Sequence, residues 1–242
     1  MLSRIFLVGP HKFTISIRYL IFCCIILAGT CVNAAPLKQS VIVKGKPFVV
    51  EIPNGLCEGS LSDWGVKYKQ FLFELGIASK GKPEILSVIA NCEFLFAQSK
   101  SILPTTWGYL AFDRSIGRYW FGQSSLNNRL IKEIESLESK HPSGLYLKDI
   151  TNNSLKKLKS DLSIGEVVRL GRPTVNEQGF MMTALARFKT KAEVMDVYLT
   201  TVTFIRNRQI LTFTVYERAS REENLEHVRL IGQQFLKSLR NN

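Results

Sequence analysis

Five cysteines are the first residues to weigh for chemistry. Cys23, Cys24 and Cys31 fall in one N-terminal stretch, LIFCCIILAGTCVNAAPLKQS, which reads as an export signal. That leaves Cys57 and Cys92. Two cysteines in an oxidising compartment usually pair. Closing a loop of about 36 residues is worth roughly 4 kcal/mol in the chain-entropy account. The competing reading is two buried free thiols. Beyond the signal there is no CxxC, and His141 and His227 are the only histidines, so neither a catalytic cysteine nor a metal site is expected.

The second feature is a cluster of rings. Trp107, Tyr109, Phe112, Tyr119, Trp120 and Phe121 lie close together, with Arg114 and Arg118 between them. Rings interleaved with arginines suit a platform for sugars or for single-stranded nucleic acid. Export argues against nucleic acid. The plainer reading is a hairpin that buries one row of rings under a helix, since aromatic residues suit strands. Tyr119, Trp120 and Phe121 are adjacent and cannot all face one side of a strand. Trp107, Tyr109, Tyr119 and Trp120 are therefore the candidate ligand-facing rings.

Other chemistries find little support. No nucleophile elbow, zinc-ligand pair, P-loop or dinucleotide fingerprint is present. A Ser-His-Asp triad would have to use His141, in a loop beside Pro142, or His227, which lies off the apolar stripe of the last helix. Triads are recognised by geometry, so sequence leaves this open. Glu133, Glu135, Glu138, Glu222, Glu223 and Glu226 read as solvated helix faces rather than a glycosidase pair. No cofactor is implied.

The elements that hold these residues begin with the export signal. Arg4, Lys12 and Arg18 precede an unbroken apolar run, Leu20–Ala28, with no acid among the first 19 residues. The run is too short to span a bilayer, which takes about 20 residues. Val32-Asn33-Ala34 fits a signal-peptidase site, so residues 1–34 are expected to be removed and 35–242 to form one domain. Lipidation of Cys31 at LAGTC and retention of the segment as an anchor are the rival readings. The formal net charge is +12, and cleavage removes Arg4, Lys12 and Arg18 from it. The basic balance that remains suits anionic partners, or is simply a soluble basic surface.

Further along, VIVKGKPFVVEI reads as two strands around a Lys-Gly-Lys turn. Trp64, Tyr68, Phe71, Leu72 and Leu75 recur at helical spacing, with Ser60 or Ser62 as cap and Gly76 as the end. Residues 84–96 read as a strand, though a buried helix fits nearly as well. TTWGYLAFD and RYWFG form an expected hairpin turning near Ser115–Gly117. Leu126, Leu130, Ile134 and Leu137 mark a second helix, closed by His141-Pro142-Ser143-Gly144. Leu155, Leu158 and Leu162 mark a third, capped by Asn152 or Asn153; Asn152 also opens a glycosylation sequon. Phe180 to Phe188 alternate as a strand, and VMDVYLTTVTFI and QILTFTVYE form a hairpin turning at Asn207. Ser220 and Glu223 form a capping box ahead of Leu225, Val228, Ile231, Phe235 and Leu239, a helix expected to lie across that hairpin. The sum is one α+β domain, an antiparallel sheet of five to seven strands with helices packed on it.

The stretch YLTTVTFIRNRQILTFTVYERASREENLEHVRLIGQQFLKSL, with the earlier KPFVVEIPNGLCEG, resembles bacterial secreted or periplasmic proteins of unknown function whose fold is PsbP- and Mog1-like. The resemblance implies an α/β/α sandwich and a non-enzymatic accessory or binding protein. It implies no site residues. The expected function is thus a secreted or periplasmic binding protein of the cell envelope whose partner is an envelope protein or an anionic surface, with no transmembrane segment in the mature chain. The alternatives are an envelope hydrolase with an unrecognised site and a basic protein docking to anionic lipid or glycan.

Overall fold

A computed structural model describes residues 37–78, 82–96, 104–114, 120–140, 152–153, 155–156, 162–189 and 193–239. The chain divides into Met1–Ala35 and Pro36–Asn242, and every described residue lies in the second unit. The proposed signal segment, Tyr119, His141 and the expected turn at 115–117 lie outside the described residues.

The first strands are β1 (Leu37–Val43) and β2 (Lys46–Ile52), a two-stranded hairpin of their own. Then come β3 (Leu56–Glu58), α1 (Asp63–Ala78), β4 (Pro83–Asn91), α2 (Cys92–Phe96), β5 (Thr106–Asp113) and α3 (Gln123–Lys140). The chain continues through β6 (Ser163–Arg169), β7 (Thr174–Val175), β8 (Phe180–Lys189), β9 (Val194–Arg206), β10 (Gln209–Arg218) and α4 (Glu223–Ser238). The larger sheet has eight strands, ordered β3-β4-β5-β10-β9-β8-β6 with β7 also on β8, and its pairings are antiparallel. The α+β class holds, with more strands than the sequence suggests.

The sheet has helices on both faces. Leu110, Phe112, Met181, Val202, Phe204, Leu211, Phe213 and Val215 form one apolar face. It is covered by Val228, Ile231 and Phe235 of α4 and by Val41, Val43, Phe48, Val50 and Ile52 of the β1–β2 hairpin. Phe235 lies flat on Phe213 with ring centroids 3.9 Å apart. Each such buried side chain contributes about 1.5–3 kcal/mol. On the other face, Trp64, Tyr68 and Leu72 of α1 pack over Ile85, Val88 and Ala111, while Phe94 and Leu95 of α2 join Ala90 and Trp107.

Several local expectations change. Ser62 caps α1, accepting the Gly65 N–H at 3.0 Å, and the helix runs past Gly76 to Ala78. Residues 84–96 divide into a strand, β4, that ends at Asn91 and a short helix beginning at Cys92. Trp120, Phe121 and Gly122 do not pair with β5, whose two sides are taken by β4 and β10, and Arg118 lies with Tyr119 outside the described residues. The Ser220–Glu223 capping box does not form. Asn224 takes over, its Oδ1 accepting the Ser220 hydroxyl and the Arg221 N–H. Asn152 is itself helical; its side chain donates to Ile164 O at 2.6 Å and accepts Ile164 N–H at 2.7 Å, pinning the start of β6.

Candidate functional site

The structure disperses the sequence-selected rings. Trp107 is 6% exposed and stacks on Tyr216 with centroids 5.5 Å apart. Tyr109 is half-buried beside the same ring, at 6.3 Å. The Trp107 indole N–H donates to the Tyr68 hydroxyl, and the Tyr109 and Tyr216 hydroxyls share a hydrogen bond. Burial pushes the Tyr68 and Tyr216 phenols well above their ordinary value. These rings make a packing layer between α1 and the sheet. Trp120 stands apart, 67% exposed, and Phe121 beside it is equally so.

Trp120 has a cation on its face, the Arg208 guanidinium 4.2 Å from the ring centroid. Arg208 sits in the two-residue turn between β9 and β10, and its φ of 60° follows 51° at Asn207. The β1–β2 turn has the same form, with φ of 52° at Lys44 and 78° at Gly45. Positive φ at both central residues defines the type I′ hairpin turn, which matches the right-handed twist of the strands. The two turns meet: Asn207 Nδ2 donates to Val43 O at 3.5 Å. Lys44 lies over the Phe112 ring at 5.9 Å, and Arg206 over Phe48 at 4.9 Å. Burial pulls the Arg206 guanidinium below its ordinary value, and its Nη2 also donates to Leu239 O. One end of the sheet thus gathers Lys44, Lys46, Arg206 and Arg208, with Lys44 and Arg206 over the buried Phe112 and Phe48 and Arg208 over the exposed Trp120.

Among the described residues, Lys44, Lys46 and Arg208 form no salt bridge. Lys38, Arg114, Arg187, Arg218 and Arg229 do, with Glu51, Glu84, Asp196, Glu193 and Glu226. Sequence reasoning finds both turns but not their meeting, because nothing in a hairpin's own residues records which distant hairpin it docks against.

The remaining constellation is His227, whose Nδ1 lies 2.6 Å from Oε2 of the buried Glu217. Asn224 Nδ2 donates to Oε1 of the same carboxylate. This clamps the first turn of α4 to the end of β10. It is also the orienting half of a triad, but no hydroxyl or thiol lies in hydrogen-bonding range of the imidazole among the described residues. The cysteine pair is bonded, Cys57 to Cys92, with Cα atoms 5.0 Å apart. Among the described residues no cluster of three ligating side chains could hold a metal, and no helix is long and apolar enough to cross a membrane.

No family model matches the chain, and no curated protein sequence does. Among solved structures, the Ran-binding protein Mog1p of Saccharomyces cerevisiae, determined at 1.9 Å, is similar over 84% of this chain and 94% of its own. The identity is 10% and the TM-score 0.39, so nothing about function is carried across.

Proposed function

We propose that this chain is a secreted or periplasmic, non-enzymatic binding or accessory protein of the cell envelope, acting through a surface. The observation that carries the reading is the sheet end where Lys44, Lys46 and Arg208 are exposed, none of them in a salt bridge among the described residues, with Arg208 held over the exposed Trp120. Cations held next to rings and away from carboxylates are poised for an anionic partner. The compartment is supported by the basic start, the short apolar run and the Val32-Asn33-Ala34 site, and by a disulfide of the kind common in oxidising compartments and rare in reducing ones.

The test has two parts. N-terminal sequencing of protein released by the producing cells should begin at Ala35; an intact or lipidated start refutes the compartment. Co-sedimentation with washed envelopes should be strong at low salt and lost at high salt, since exposed charges are screened. No sedimentation at low salt refutes the binding reading. The second reading, an envelope hydrolase, is favoured by the Glu217–His227 contact alone. It requires that His227→Ala abolish a hydrolytic activity of the purified protein; absence of such activity across ester, amide and glycoside substrates ends it.

A further inference from the structure

We infer that the end bearing the two turns docks on an anionic lipid bilayer, with Lys44, Lys46 and Arg208 on headgroup phosphates and Trp120 and Phe121 at interfacial depth. This rests on the surface-binding reading above and gives it a partner. Three observations converge on it.

The first is where the cations sit. A type I′ turn favours Asn or Gly at both central positions, because other side chains crowd the backbone at positive φ. Each turn here keeps one favoured residue, Gly45 or Asn207, and gives the other place to a cation, Lys44 or Arg208. Strained conformations of this kind concentrate where function holds them. Two independent hairpins carry the same departure at the same end, joined by the Asn207–Val43 contact.

The second is charge. Glu84 and Asp113, at the ends of neighbouring strands, are engaged locally by Arg114 and by the Lys82 N–H. Among the described residues no carboxylate pairs with the turn cations, which suits them to an external anion.

The third separates a bilayer from a soluble polyanion. Ile42 is 64% exposed, and Trp120 and Phe121 are 67% exposed. A glycan can use the cations and stack on an aromatic face, but it leaves the aliphatic Ile42 in water. A bilayer surface uses all of them, since indole rings favour the interface and lysine or arginine favours the anionic leaflet.

The experiment takes the protein in the form the cell produces and measures co-sedimentation with phosphatidylcholine vesicles, with and without phosphatidylglycerol, at low and high salt. Trp emission is read in parallel. Lys44→Asn and Arg208→Gly place favoured turn residues, so both variants should fold and melt no lower than the parent. Each should weaken binding to the anionic vesicles about fivefold, and the pair about twenty-five-fold. Trp120→Ala should weaken binding and remove most of the blue shift. No binding to anionic vesicles at low salt, equal binding to neutral vesicles, or full affinity in the double variant overturns the inference. So does salt-sensitive binding to dextran sulfate that Trp120→Ala leaves unchanged while vesicles fail to bind, which would assign the site to a polyanion. Envelope binding that survives while vesicle binding fails removes this inference alone; loss of both removes the function on which it rests.

Discussion

At the residue scale, Asn152 shows how one side chain replaces a missing strand neighbour. Its amide pairs with both backbone groups of Ile164, as a second strand would. Asn152→Asp keeps the acceptor but turns the donor into an oxygen facing Ile164 O. Leaving such a partner unsatisfied costs about 1–3 kcal/mol, so urea unfolding should show a midpoint shift at constant slope. The half-buried phenols make a different prediction. Tyr68 and Tyr216 have folded pKa values raised by burial above the unfolded value. Their contribution is therefore fully present below the unfolded tyrosine pKa of about 10 and falls as pH rises beyond it. Tyrosinate absorbance from these two should appear together with cooperative alkaline unfolding, and Tyr68→Phe should remove its share of that pH dependence. Smooth titration of Tyr68 and Tyr216 near the ordinary tyrosine value, in protein still folded by circular dichroism, would contradict the buried placement.

At the element scale, α4 meets the sheet closely because it carries Gly232. A Cβ at that position would stand 2.5 Å from Thr200 Cγ2 and 3.0 Å from Met181 Sδ. Thr200 cannot turn away freely, since it is β-branched and its hydroxyl pairs with that of Thr183 at 2.9 Å. Gly232→Ala gains up to about 1 kcal/mol in helix propensity and loses about 1–3 kcal/mol to overpacking; thermal melting should show a net loss. An increase in melting temperature would mean that the helix can ride outward. The same elements show what sequence can report. The β9–β10 hairpin is legible because Leu211, Phe213 and Val215 alternate with polar residues and Asn207 marks the turn. The apolar stripe of α4 is legible for the matching reason at helical period. β6 is not, because an edge strand carries mixed exposure, and the sequence offers no alternation to read. The partner of β5 is not, because β10 arrives from about a hundred residues away. The candidate site divides along the same line: Trp120 is legible as a ring among arginines, while its cation, Arg208, is supplied by tertiary packing. The open part of the β4 edge is blunted by Pro83, by a bulge between Ile85 and Ser87, and by the Arg114–Glu84 pair, devices that discourage edge-to-edge pairing.

At the scale of the whole domain, the disulfide closes off one face. Cys57 in β3 and Cys92 at the start of α2 enclose α1 and β4, and with them most of the layer holding Trp64 and Tyr68. The opposite face is secured by α4 and the β1–β2 hairpin, which lie outside that loop. Opening the bond should therefore loosen the α1 side first. The loop spans 35 positions, for which the chain-entropy account gives roughly 4 kcal/mol. In a domain of this size each kcal/mol moves the melting temperature by about 2–4 °C, so Cys57→Ser with Cys92→Ser should melt about 8–16 °C lower. Hydrogen exchange in the double variant should quicken in α1 and β4 while α4 and β10 keep their protection. Because the turn end is built from β1, β2, β9 and β10, outside the loop, vesicle binding below the melting transition should be unchanged. A double variant that melts like the parent would mean that packing alone holds α1. One that loses protection evenly across both faces would mean that the two layers unfold as a single unit, and that the bond acts on the whole domain.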